Sequence, residues 1–131
     1  MTDAPDRPPE RLVFVEEAVV RLAPTSDEAA VGAAVTVALC GHWDHPGACR
    51  WPHNTSVTSR VADLVTVATL VVATADDEVQ VRSAIRGAVG GGRLAVAGAA
   101  DSWTVVSQRR RSVNADEAGL ARRLRSHDRE P

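Results

Sequence analysis

A chain of 131 residues and 13.9 kDa has room for one hydrophobic core and is too short for two ordinary domains. With 44% hydrophobic and 24% charged residues, disordered, collagen-like and low-complexity architectures are excluded together. A formal net charge of -2 gives no global attraction to nucleic acid or to an anionic membrane, so any such binding has to be local.

Residues 1–10, MTDAPDRPPE, hold three prolines, four charges and no apolar run. They read as a flexible tail rather than a signal peptide, which leads us to expect a cytoplasmic protein. The segment RLVFVEEAVVRLA at 11–23 predicts a strand closed by Pro24. Residues 29–43 fit two periods. Val31, Ala34, Val35, Ala38 and Leu39 make a helical stripe, while Val35, Val37 and Leu39 alternate as in a strand. Gly32 and the β-branched residues 35–37 weigh toward a strand over 33–43, although Ser26 with the acidic pair behind it would cap a helix. From His42 to Ser59 the composition is that of a loop. Residues 61–74, VADLVTVATLVVAT, predict a central strand buried on both faces.

Thr74 and Asp77 resemble a capping box, and Val81, Ala84, Ile85, Ala88 and Val89 follow at helical spacing until Gly90, Gly91 and Gly92. Those glycines lie at the negative end of the helix dipole, so they predict a C-cap and not a phosphate cradle. Residues 102–110 predict another strand, and Asn114 with Glu117 predicts the capped start of a helix carrying Leu120, Ala121 and Leu124. The expected fold is α/β (an α+β sandwich), with a single mixed β-sheet of about four strands and two helices packed on one face. One domain over 11–126 is expected, followed by a short tail at 127–131 that holds His127.

The segment CGHWDHPGACRWPH at 40–53 holds both cysteines, three of four histidines and two of three tryptophans. Thiolate and imidazole bind borderline-soft cations, and Cys40, His42, His45, Cys49 and His53 offer five ligands where zinc needs four. This pattern predicts a zinc site, structural or catalytic according to ligand count, with Asp44 and Asn54 placed to orient the imidazoles. In the absence of an export signal the two cysteines are expected to be thiols or ligands rather than a disulfide. Two other readings stand beside it. In one, Cys49 is a nucleophile activated by Arg50 and His53, with Asp44 a further candidate. In the other, the segment binds no metal, and Trp43 and Trp51 either close over the sheet edge or meet a small molecule or protein partner.

The stretch from Cys49, C-R-W-P-H-N-T-S-V, resembles the C-x-x-x-H-G-H-N segment of the 6-pyruvoyl-tetrahydropterin synthase family over about a dozen residues. The resemblance implies a catalytic Cys at Cys49, a zinc-binding His at His53 and an earlier one at His42. Asn54 and Thr55 stand where that family has Gly and a second zinc His, so the chain is not assigned to it on this segment.

All 15 basic residues are Arg, which removes Schiff-base chemistry and a lysine general base. Arg109, Arg110, Arg111, Arg122, Arg123 and Arg125 crowd the C-terminal part, where Asp116 and Glu117 balance them; a solvated face is the expectation, and nucleic acid a minor one. Trp103 is expected in the core, and Asp63 in a turn. Glu16 and Glu17 are adjacent, so in a strand they face opposite ways and form no carboxylate dyad. A homodimer is compatible with this composition, and no membrane partner is expected.

Overall fold

The computed structural model describes residues 10–40, 51–96 and 98–129. The elements in chain order are β1 (Arg11–Leu22), α1 (Ala29–Cys40), β2 (His53–Val61), β3 (Leu64–Thr74), a 3-10 turn (Ala75–Asp77), α2 (Glu78–Gly90), β4 (Trp103–Arg111) and α3 (Ala115–Arg129). The strands form one sheet in the order β2-β3-β1-β4, and every neighbouring pair is antiparallel. The first six of these strands and helices make a β-α-β-β-α-β unit, the split β-α-β (ferredoxin-like) topology. One sheet of four strands in an α+β fold is as the sequence predicts, but the sheet is wholly antiparallel rather than mixed, and the two expected helices, α2 and α3, lie on opposite faces, with α1 packed beside α2.

Strand alternation sorts the core into those layers. On one face Phe14, Ala18, Val20 and Leu22 of β1 and Val65, Val67, Val71 and Ala73 of β3 pack with Val31 and Val35 of α1 and Val81, Ile85 and Val89 of α2. On the other, Val15, Ala68 and Leu70 pack with Ala121, flanked by Leu120 and Leu124 of α3. Both central strands therefore bury both faces, which is why they read as continuous apolar runs.

The segment at 29–40 is a helix, which corrects the expected strand over 33–43. Asp27 caps it through Oδ1, which accepts the N–H of Ala29 (2.9 Å). The hydroxyl of Thr36 turns back to the Gly32 carbonyl (3.1 Å), so one β-branched residue is accommodated in the helix by a bond to the preceding turn. A β-carbon on Gly32 would lie 3.2 Å from Cβ of Thr55, and glycine lets α1 settle onto β2. The second correction is β2 itself, which occupies much of the expected loop and joins β3 through the two-residue turn Ala62 and Asp63.

Two irregularities matter for the site. Pairing of β4 with β1 shifts register between Val19 and Val20, leaving Val106 as a bulge residue, and pairing of β2 with β3 shifts between Val57 and Ser59. At the end of α2, Gly92 has φ +75°, and a β-carbon there would meet the Trp103 carbonyl at 2.9 Å. Among the described residues no helix is long and apolar enough to cross a membrane.

Candidate functional site

Of the residues expected to bind metal or act as nucleophile, Cys40 and His53 are described, whereas His42, His45, Cys49 and Asp44 lie outside the described residues, as does Trp43. Cys40 ends α1 and is disulfide-bonded, which corrects the expectation of a free or metal-bound thiol. His53 opens β2 with both ring nitrogens engaged: Nδ1 donates to the Trp51 carbonyl (2.9 Å), and Nε2 lies 3.1 Å from the Thr36 hydroxyl. Trp51 is a core residue, and its indole N–H donates to Asp77 (3.2 Å). Among the described residues no group of three His, Cys, Asp or Glu could hold a metal ion. The metal-binding function expected for this segment is therefore overturned. Zinc needs thiolates and free imidazole lone pairs, and here the Cys40 sulfur is spent in a disulfide while His53 is held by Trp51 and Thr36. The side chain of His127 also lies outside the described ones.

A different constellation sits between β1, α2 and β4. Glu16 and Glu17 face opposite sides of the sheet, as their adjacency requires, and each gathers its own arginines. Glu16 is 4% exposed on the face covered by α2. Arg82 donates through Nη1 to the Glu16 carboxylate and to the Val15 carbonyl (3.2 Å), and through Nε to Glu78 (2.8 Å). Its guanidinium carbon lies 4.3 Å from the centroid of the Phe14 ring. Arg86, one turn on, donates through Nε to Glu16 (2.6 Å). This bond holds the Arg86 guanidinium in its charged form even more firmly than usual. Its side chain is 43% exposed, so the outer edge of the guanidinium is turned to solvent.

Arg110 completes the group. In the β1/β4 register it lies opposite Glu16, so it shares that face of the sheet. It makes no hydrogen bond or ion pair among the described residues, since Glu16 is taken by Arg82 and Arg86. Arg82, Ser83, Arg86 and Arg110, with Glu78 and Val79, line a pocket of about 650 Å³ between α2 and β4. Three guanidinium groups meet two carboxylates there, which leaves one positive charge in excess.

On the opposite face Glu17 receives Arg109 and Arg111 (2.8 Å each), and Arg111 continues to Glu117 at the start of α3 (2.7 and 2.8 Å). The hydrogen bonds from Arg111 hold both carboxyls below the usual glutamate range. The arginine run of β4 is thus divided: Arg109 and Arg111 are tied to acids, and Arg110 stands in the pocket. The spacing Glu78, Arg82, Arg86 on one helix stripe, together with alternation along β4, was the signal in the sequence for this cluster.

Compared with protein-family models, curated proteins and solved structures, the chain gives no significant match.

Proposed function

We propose that this protein is a binding domain for a small anionic ligand, a carboxylate or phosphate compound, held in the pocket between α2 and β4. The observation that carries this reading is Arg110, a guanidinium without an acid partner among the described residues, set beside the exposed edge of Arg86 in the same cavity. Arg side chains present planar forks of donors that match carboxylate and phosphate oxygens. A volume of about 650 Å³ falls within the roughly 300–1,000 Å³ of small-molecule sites, larger than a bare ion requires. Arg82 is built in by Glu16, Glu78, Val15 and Phe14, so it forms the wall rather than the contact.

The test is calorimetric titration of the whole chain with citrate and with inorganic phosphate at low ionic strength. Arg110→Ala should weaken binding by about 10-fold or more, the size of one charge-assisted hydrogen bond, without lowering the melting temperature. Added salt should weaken it as well. Equal affinity in wild type and Arg110→Ala, or no binding of either anion, would refute this reading.

A further inference from the structure

The pocket between α2 and β4 carries charge of both signs, placed at its two ends. Two rows of α2 line it: Glu78, Arg82 and Arg86 at every fourth position, and Val79, Ser83 and Gly87 one residue on. The first row is chained through Glu16. Glu78 accepts from Nε of Arg82, Arg82 donates onward to Glu16, and Glu16 also accepts from Arg86. Positive charge therefore gathers at the end where Arg86 and Arg110 stand, and Glu78 lies at the other.

Glu78 is only partly compensated there. Among the described residues its one partner is Arg82, bonded at Oε2 (2.8 Å), and Arg82 divides a single positive charge between Glu78 and Glu16. Oε1 of Glu78 accepts no bond among the described residues, and the side chain is 28% exposed, so that oxygen can take a donor from a ligand.

The second row is uncharged. Val79 is 80% exposed, a β-carbon on Gly87 would meet nothing within 4 Å, and Ser83 between them adds one hydroxyl. Covering Val79 with aliphatic carbon removes apolar surface from water. No aromatic residue lines the cavity among the described residues, and the nearby Phe14 ring is covered by Arg82, so nothing is presented for stacking a base or an aryl group.

Length follows from the helix. The step from Glu78 to Arg86 rises about 12 Å along α2. Charge-assisted bonds of about 2.8 Å at each end leave roughly 6–7 Å between the charged groups of a ligand. An extended chain of about five or six carbons spans that distance.

We infer, resting on the anion-pocket reading above, that the ligand is an ω-amino carboxylate, an aliphatic chain with an ammonium at one end and a carboxylate at the other. The carboxylate meets Arg110 and the outer edge of Arg86, the ammonium donates to Oε1 of Glu78, and the methylenes lie along Val79 and Gly87.

The probes are 6-aminohexanoate and hexanoate, titrated calorimetrically into the whole chain at neutral pH and low ionic strength. They differ by the ammonium, which should tighten binding by about 10-fold, the size of one charge-assisted hydrogen bond. The shorter 4-aminobutyrate cannot reach both ends and should show no such advantage over butyrate; this comparison decides independently of any variant. Glu78→Gln should bring 6-aminohexanoate to the affinity of hexanoate, with thermal melts establishing that α2 stays packed. Arg110→Ala should weaken both six-carbon ligands alike. The inference is overturned if 6-aminohexanoate binds no tighter than hexanoate, if 4-aminobutyrate gains as much over butyrate, or if the advantage survives Glu78→Gln. In each of these cases, citrate or phosphate binding that Arg110→Ala weakens leaves the anion pocket standing, and its absence removes pocket and inference together.

Discussion

Ala62 is the non-glycine residue in the described chain with a left-handed backbone, at φ +56°. It is held there by its neighbours in the β2/β3 turn: its carbonyl accepts Nε of Arg60 (3.1 Å), and the next carbonyl, of Asp63, accepts the Leu22 N–H (2.9 Å). An alanine in this region pays a steric cost that glycine does not. Ala62→Gly should therefore stabilise the protein by about 0.5–1 kcal/mol, read as a higher urea midpoint with an unchanged slope. A lower midpoint would show that the turn relaxes away from this geometry.

At the scale of single elements, α3 is anchored at its start by Arg111, while Arg125 further along donates to the Arg11 carbonyl. Arg111 binds Glu17 of β1 and Glu117 of α3, and Glu117 also closes a reciprocal cap with Asn114 (2.9 and 3.1 Å). Both carboxyls are held below their ordinary value of 4.5, chiefly by hydrogen bonds from Arg111. Lowered acid pKa values give stability that is fully present above the unfolded value and is lost as pH falls through the folded one. Urea unfolding should accordingly show stability falling as the pH drops below 4.5. Glu117→Gln should be less stable at pH 7 and flatter across this window; an equally steep fall would place the acid sensitivity elsewhere. The Asn114/Glu117 cap was legible in the sequence because both partners lie within one turn, and α2 because Val81, Ile85 and Val89 repeat at the helical period. α1 was not legible, since it is apolar on every side and both periods fit it. What decides α1 is distant: Gly32 against Thr55, and Asp27, whose N–H is held by Asp101, 74 residues away. β2 escaped notice because an edge strand of Thr and Ser lacks the apolar alternation that marks a half-buried one.

At the scale of the whole molecule, Glu16 joins β1 to α2 across 66 residues of chain, a link that no local window of sequence displays. Its side chain is 3% exposed, and that of Arg82 10%. Removing Glu16 strips the buried Arg82 of one of its two acid partners and leaves it Glu78 alone, so Glu16→Ala should cost about 3 kcal/mol, the lower end for breaking a buried pair. Replacing both, as Glu16→Leu with Arg82→Met, should recover most of that loss in denaturant unfolding. Failure of the double variant to recover would mean that the pair specifies the packing of α2 as well as neutralising charge.

The bulge at Val106 works on a different principle, as a phase shift in the strand. It adds one residue to β4 between Trp103, which seals the core beside Leu22, and the arginine run. Were Val106 paired opposite Val19, with the Trp103 end fixed and no bulge, Arg109 would fall opposite Glu16 and Arg110 opposite Val15. One unpaired residue thus decides which arginine faces the pocket and which are available to lock α3, so a slip that drew Val106 into the ladder would reassign charge between the two faces without altering composition.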